Sequence, residues 1–370
     1  INMSDFKINS IATKQGQHGP VIAGVSTINS TGCMKIPSGP TAFRTNDLQG
    51  RGRMVFSGGY GSSSPYPELN VLDMVNITTE GNAVDFGDLT VGRTANGMGG
   101  NATRGIFAAG RFPGVGNATN IIDYVTFSSS GGANDFGDLN NDPCSSTGFS
   151  DATRGIFSGG YDGNNSPYLR TTAMTFITIA STGNSSDFGD SVERGRKDVS
   201  FSNKTRGFTC GGNNRLGSPS PSPSPHGRIE MTIIQTKGST IDFGEVGEDN
   251  GKSFFTGNLG CNGGAASQTR GIIFSGIVSP SAHRNVIEFL TLTTLGNSQN
   301  FGDMLNTGGG GGVTASGNQI RAVVRTSSAY DGNILEQVTI ATTGNATDFG
   351  DLNTGRRSYG SVCDSHGGLG

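Results

Sequence analysis

The sequence predicts an all-β fold, a β-propeller in which four-stranded sheets form blades around a common axis. The tripeptide Phe-Gly-Asp, or Phe-Gly-Glu, occurs six times, and successive copies start 50, 52, 55, 58 and 48 residues apart. These copies begin at Phe86, Phe136, Phe188, Phe243, Phe301 and Phe349. A second marker, Thr-Arg-Gly, recurs in step with the first at Thr103, Thr153, Thr205 and Thr269. A period of this size, with strand-like segments between the markers, is typical of propellers.

The composition agrees with a many-stranded protein that is rich in turns. Glycine accounts for 62 of the 370 residues, and hydrophobic residues make up only 32%. Disordered chains share such low hydrophobicity, but they typically carry high charge and few aromatic residues. Here charged residues make up 15%, and there are 21 phenylalanines.

One repeat, residues 92–139, illustrates the four strands that we expect in each blade. A Gly-rich strand ends near Gly100, and a short apolar strand runs from Arg104 to Gly110. A strand rich in β-branched and aromatic residues follows from Asn120 to Phe127, and the last strand carries Phe-Gly-Asp. The turn before the last strand contains Gly-Asn in several repeats, which suits the positive φ angles of tight hairpins.

Six markers favour six blades, with five or seven as alternatives. The first complete repeat, at Arg51, begins with a second strand, whereas residues 356–367 repeat a first strand with no second strand behind it. This offset predicts that the last strand of the sequence completes the first blade. We therefore expect a propeller over residues 51–370 and a separate segment over residues 1–50.

The repeats resemble kelch-type blades, in which a strand ending in Gly-Gly precedes a strand that carries an aromatic residue. The resemblance covers the chain from about residue 51 onward. It departs in one respect: the sequence has no Trp, and the Phe of Phe-Gly-Asp takes the place of the kelch Trp.

The segment 19–44 and the pattern Thr-Gly-Asn-x-x-Asp-Phe-Gly-Asp-Leu look like parts of fibre and appendage proteins of marine tailed bacteriophages, especially those that infect cyanobacteria. This resemblance implies a virion protein, located on the surface of the extracellular particle. It also implies that residues 1–50 bind other virion proteins and that the propeller is displayed in several copies. The expected partner is a glycan or protein of the host cell surface.

The repeated charges admit two interpretations. They comprise the acids Asp88, Asp138, Asp190, Glu245, Asp303 and Asp351, and the bases Arg104, Arg154, Arg206, Arg270 and Arg321. They could form a ring of ligand-binding charges, or each Arg could bond a carboxylate or a turn carbonyl within or between blades. We favour the structural role, with Asp holding Arg, because a binding site usually breaks the symmetry of a repeat.

Function is expected in the unequal loops on one face of the ring. The loops between the second and third strands differ in length, and the longest, residues 213–228, contains four Ser-Pro pairs. Tyr and Arg often anchor contacts. The candidate binding residues are Tyr60, Tyr66, Arg111, Phe112, Tyr161, Tyr168, Arg215, His226 and Arg228. The alternative is that these loops simply vary on a passive scaffold.

The sequence gives little support to other classes of function. We expect no enzyme, although Ser185-Ser-Asp-Phe-Gly partly matches the Asp-box turn of sialidase-like propellers and leaves a glycan hydrolase as a lesser alternative. The four histidines are isolated, so no metal site or cofactor is expected, and Asp162-Gly-Asn-Asn is only a fragment of a calcium loop. A net charge of −3 and the lack of long apolar runs argue against nucleic-acid binding and membrane insertion. The five scattered cysteines are expected to be free thiols.

Overall fold

A computed structural model describes most of the chain from Gly52 onward. The described residues are 52–61, 67–94, 97–112, 118–141, 143–144, 146–162, 171–193, 199–211, 227–247, 263–274, 277–278, 282–283, 285–307, 313–326, 332–357 and 359–369. The predicted attachment segment, residues 1–50, lies outside them.

The described residues form six antiparallel four-stranded sheets, which confirms the predicted β-propeller and its blade number. In order of blades 1 to 6, the inner strands are Gly360–Cys363, Gly97–Gly100, Thr147–Ser150, Val199–Ser202, Gly263–Ala266 and Thr314–Gly317. The second strands are Arg53–Ser57, Arg104–Ala108, Arg154–Ser158, Arg206–Cys210, Arg270–Phe274 and Arg321–Arg325. The third strands are Val71–Asn76, Ile121–Thr126, Ala173–Thr178, Arg228–Ile233, Val286–Thr291 and Ile334–Thr339. The outer strands are Val84–Asp88, Asn134–Asp138, Ser186–Asp190, Ile241–Glu245, Gln299–Asp303 and Thr347–Asp351.

Short elements complete the described structure. Three pairs of two-residue strands lie outside the blades: Tyr60–Gly61 with Arg356–Arg357, Pro143–Cys144 with Tyr161–Asp162, and Ile277–Val278 with Ala282–His283. A single turn of 3₁₀ helix spans Gly367–Leu369. The described part of the chain contains no candidate membrane-spanning helix.

The ring closes as the offset of the repeats predicts. The last strand, Gly360–Cys363, pairs antiparallel with Arg53–Ser57 and supplies the inner strand of blade 1. Each inner strand also contacts the inner strands of its two neighbouring blades. Closure removes the two open ends that a linear array of blades would expose.

The Phe-Gly-Asp marker forms a β-bulge in the outer strand of each blade. In blade 1, Leu72 pairs with Gly87 and Asp73 pairs with Asp85, so Phe86 is left without a cross-strand partner. The same shift of register occurs in the other five blades. The bulge turns Phe86 inward, where it packs in a cluster with residues of blade 2 such as Phe107 and Val125. All six marker phenylalanines are buried in clusters between blades.

The glycine of the marker permits a close approach between neighbouring blades. Gly87 has φ +139°, and a Cβ atom there would lie 2.4 Å from the carbonyl carbon of Gly131 in blade 2. A side chain at this position would therefore separate the blades. At this contact, the amide of Gly131 donates to the carbonyl of Phe86, and the amide of Ala133 donates to the carbonyl of Asp88. Both hydrogen bonds recur at all six junctions, including the junction from blade 6 to blade 1.

The repeat arginines join blades through backbone carbonyls. Arg104 Nη1 donates to the carbonyl of Ile179, which follows the third strand of the next blade, at 2.9 Å. Arg154, Arg206, Arg270 and Arg321 make the equivalent bond at 2.9–3.2 Å, and Arg53 makes it as a sixth member that the sequence analysis did not include. The expectation that the marker Asp holds this Arg is therefore wrong. The reason is geometric, because the marker lies on the outer edge and its Asp contributes its main-chain carbonyl to the next blade.

A second repeated device lies at the turns that join inner and second strands. Asp151 Oδ1 accepts hydrogen bonds from the amides of Thr153 and Arg154, and Asn101, Asn203 and Asn318 do the same in their blades. In blade 1 this acceptor is Asp364, which follows the last strand and bonds the amides of Gly52 and Arg53 at 2.7 and 3.2 Å. The two ends of the ring are thus joined by a side chain as well as by strand pairing.

Candidate functional site

The two ends of the blades carry different connections. One end carries the turns between inner and second strands and the turns between third and outer strands. We call this end the turn face. We call the opposite end, which carries the connections between second and third strands and the links between blades, the loop face.

On the loop face, the connections of blades 1 to 3 are held in short β-ladders. In blade 1, Tyr60–Gly61 pairs with the link residues Arg356–Arg357, and in blade 3, Tyr161–Asp162 pairs with Pro143–Cys144. In blade 2, Arg111 forms bridges to Thr94 and Ala118. Each ladder joins a variable loop to the link that enters the same blade. The loops of this half of the ring therefore start from a fixed base.

Three of the predicted binding residues occupy equivalent positions in these ladders. Tyr60, Arg111 and Tyr161 each come directly after a two-residue step that ends in glycine and follows the second strand. The step needs glycine because, at Gly59, φ is +106° and a Cβ atom would lie 2.6 Å from the carbonyl oxygen of Arg357. The structure therefore brings one residue from each of three consecutive blades to the same level of the loop face.

The described side chains of the predicted set are partly engaged within the propeller. The guanidinium of Arg357 lies 5.4 Å from the ring centroid of the half-buried Tyr60. Arg228 Nε lies 3.3 Å from Glu193 Oε1 and 3.9 Å from Asp242 Oδ2. Arg111 and Phe112 are half-buried. Tyr66, Tyr168, Arg215, His226 and the side chain of Tyr161 lie outside the described part of the chain.

Beneath this face lies a layer of buried charge that was not predicted from the sequence. Asp123, the third residue of its strand, pairs with Arg93 at 2.8 Å, and both side chains are fully buried. Arg93 also donates to the carbonyl of Phe107. Burial lowers the pKa of Arg93, and the neighbouring Asp123 carboxylate opposes that change. Asp73 and Arg356 form the equivalent buried pair in blade 1, also at 2.8 Å.

The third residue of the third strand is polar and buried in every blade. In blades 3 to 6 it is Thr175, Glu230, Glu288 and Glu336. Glu336 accepts hydrogen bonds from the amides of Leu305 and Asn306, and Glu230 accepts them from Val192 and Glu193. These acids thus hold the links that carry the loop face. The signal was present in the sequence, because an acidic residue stands at the third position of the third strand in five of the six blades.

The axis of the ring is narrow and closed on the turn face. Inner strands rich in Gly, Ala and Ser surround a cavity of about 60 Å³. Residues 364–369 cross its end on the turn face, where His366 Nε2 lies 2.8 Å from the carbonyl oxygen of Gly100. His366 Nδ1 accepts from the amide of Gly368 at 3.1 Å, which assigns the proton to Nε2. Burial lowers the pKa of His366, consistent with a neutral ring.

The other sequence motifs can be located only in part, because some of their residues lie outside the described part of the chain. The Asp-box-like Ser185 bonds Asn140 and the carbonyl of Asp138, so it belongs to the junction between blades. No group of three or more His, Cys, Asp and Glu side chains in the described ranges could hold a metal ion. Cys210 and Cys363 are buried, and neither forms a disulfide bond. The other cysteine side chains and residues 163–165 of the calcium-loop fragment fall outside the described part.

Comparison with known proteins adds no family to this description. No protein-family model matches the chain, and no curated protein is significantly similar to it.

Proposed function

We propose that this chain is a virion protein of a tailed bacteriophage, part of a tail fibre or related appendage, whose propeller binds a glycan or protein on the host cell surface. The proposal of phage origin is supported by the resemblance of residues 19–44 and of the outer-strand repeat to phage appendage proteins. Residues 1–50 would attach the propeller to other virion proteins. Several copies per particle would multiply weak contacts.

The observation that carries the binding role is the placement of Tyr60, Arg111 and Tyr161. These residues occupy the same position of the loop-face ladders in three consecutive blades. Tyr and Arg contribute much of the binding energy in protein interfaces. Loops that start from a fixed base also lose less conformational entropy when they bind.

The test is binding of the labelled protein to cyanobacterial strains that are susceptible or resistant to a phage carrying it. We expect binding to susceptible cells only. The triple variant Tyr60→Ala, Arg111→Ala, Tyr161→Ala should weaken it by about tenfold or more. The matched control carries Thr79→Ala, Ser129→Ala and Ser181→Ala, which alter exposed turn-face residues of the same three blades. Equal binding by both variants would overturn the assignment to the loop face.

A second function is favoured by a different observation. Tyr60 contacts Arg357, and Arg228 contacts Glu193 and Asp242. Side chains engaged within the chain in this way suit a scaffold that only packs against neighbouring virion proteins. A density map of the particle distinguishes the two functions. A loop face covered by other virion proteins supports the packing role, and an exposed loop face supports host binding.

A further inference from the structure

Blade 6 differs from its neighbours at one position of its third strand. The fourth residue of this strand is aromatic in blades 2, 3 and 5, where Tyr124, Phe176 and Phe289 stand. Each ring lies edge-on to the marker Phe of its own blade, with centroids 5.9–6.3 Å apart. Each ring also lies under the repeat Arg of its blade, at 4.4–5.2 Å. These aromatic rings fill the space between the repeat Arg and the outer strand.

In blade 6 this position is Gln337, which lines an open cavity of about 280 Å³ at the surface. Gln337 is 7% exposed, and its Nε2 donates to Glu80 Oε1 at 2.6 Å and to the carbonyl of Asp348 at 3.3 Å. Its Oε1 is buried and has no partner among the described residues. An amide that replaces an aromatic ring and is only partly satisfied indicates a site that is kept polar.

The cavity lining offers hydrogen-bonding groups of both kinds. Arg321 uses Nη1 to bond Ile77, and its other guanidinium N–H groups have no partner in the described part of the chain. Glu80 supplies a carboxylate from the adjoining turn of blade 1. The remaining polar lining comes from Asn345, whose Oδ1 accepts from the amide of Asp303, and from exposed hydroxyl groups of Thr339, Thr342, Thr343 and Thr347. The buried Phe301 and Val338 add an apolar wall.

We propose that this cavity is a binding site for one neutral sugar ring. A ligand with many hydroxyl groups matches a lining that offers both donors and acceptors beside an apolar wall. The cavity is near the lower limit of about 300 Å³ for ligand pockets, so it suits one ring rather than an oligosaccharide. The outer strands around it carry Asp303, Asp348 and Asp351, whose negative potential disfavours acidic sugars.

This site is separate from the loop face. It lies beside the turn between the third and outer strands of blade 6, on the turn face, and none of its lining residues belongs to the predicted loop set. The proposal therefore does not depend on host binding through the loop face.

The test is saturation-transfer NMR on the full chain with methyl α-glucopyranoside, methyl α-galactopyranoside and N-acetylglucosamine. We expect at least one to bind with a Kd of about 1–10 mM, as a few hydrogen bonds allow. Gln337→Phe copies the residue of blade 5, removes the amide and places an aromatic ring in the cavity, so it should weaken binding by about tenfold or more. Met231→Phe makes the equivalent change in blade 4 and should leave binding unchanged.

Thr342→Val gives a second variant that keeps the volume of the side chain and removes one hydroxyl group of the lining. We expect it to weaken binding as well, with the thermal midpoint unchanged. Three results would overturn the proposal: no transfer to any of the three sugars, equal binding by the wild type and Gln337→Phe, or tighter binding of glucuronate than of every neutral sugar.

Discussion

At the scale of single residues, two kinds of arginine hold this propeller together by different physics. The repeat arginines, such as Arg104, are half-buried and each bonds a carbonyl of the next blade. Arg93 and Arg356 are fully buried and paired with carboxylates. A buried ion pair adds little net stability, but removal of one partner leaves an uncompensated charge in the interior. The second kind should therefore be the more sensitive to substitution.

Asp123→Ala tests this difference. We expect the free energy of unfolding to fall by about 3–5 kcal/mol, because Arg93 would remain buried without its counter-charge. The control is Asp135→Ala, an exposed position in the same blade, which should change stability by no more than about 0.5 kcal/mol. Urea denaturation followed by circular dichroism measures both. A loss below about 1 kcal/mol for Asp123→Ala would mean that the pair is not needed to keep Arg93 buried.

His366 provides a pH dependence whose sign follows from its lowered pKa. The unfolded chain has the ordinary value of 6.5, and burial lowers the folded value, so the unfolded state binds the proton more readily. The stability of the fold that depends on a neutral His366 ring is fully present above pH 6.5. It is lost as the pH falls from 6.5 through the folded pKa of His366. The loss is at most about 1.4 kcal/mol for each pH unit.

The measurement is the thermal midpoint at pH 7 and at pH 5, compared between the wild type and His366→Gln. Glutamine can donate to the Gly100 carbonyl and accept from the Gly368 amide without titrating in this range. We expect the wild type to lose more stability than the variant between the two pH values. Parallel curves would show that His366 does not control this change.

At the scale of elements, the repeated strands were predictable and their junctions were less so. The four strands of a blade could be predicted because each is marked locally by glycine, β-branched residues or Phe-Gly-Asp. The role of Asp88 could not be predicted, because it depends on the bulge that places the Asp88 carbonyl against blade 2. The sequence shows Gln337 at the position that Phe289 occupies in blade 5. The cavity beside Gln337 is seen only in the structure.

The closing strand gives the prediction at this scale. Asp364→Ala removes the acceptor of the Gly52 and Arg53 amides, and Asp151→Ala removes the matching acceptor within blade 3. Each should cost about 1–3 kcal/mol, because partly buried donors lose their partner. Only Asp364→Ala should loosen the last strand, because of these two acceptors only Asp364 bonds across the junction between the ends of the ring.

Alkylation of Cys363, followed by mass spectrometry, reports on that loosening. Burial raises the pKa of this thiol to about 12, so the closed ring protects it. We expect faster labelling of Cys363 in Asp364→Ala than in Asp151→Ala, with Cys210 as an internal reference. Equal labelling rates in the two variants would contradict a role of Asp364 in closure.

At the scale of the whole molecule, the outer edges of the six blades form an acidic belt. The residue before each marker Phe is exposed and is Asp in five blades, at Asp85, Asp135, Asp187, Asp242 and Asp348. A second ring of acids follows the marker glycine. Outer strands have unpaired edges that could join those of another molecule, and charged side chains on such edges oppose that pairing. The belt therefore disfavours pairing between the outer edges of two molecules.

Blade 1 offers the sharpest test of the belt, because Val84 is 52% exposed next to Asp85. Asp85→Val would place two exposed β-branched residues before Phe86 on an outer edge, which favours strand pairing between molecules. We expect self-association with a Kd below about 1 mM, measured by sedimentation velocity over a concentration series. Thr79→Val adds a similar apolar side chain to the exposed turn of the same blade, away from the strand edge, and should leave the protein monodisperse. Association of both variants would point to added hydrophobicity in general, and association of neither would show that the main-chain bonds between blades already protect the edge.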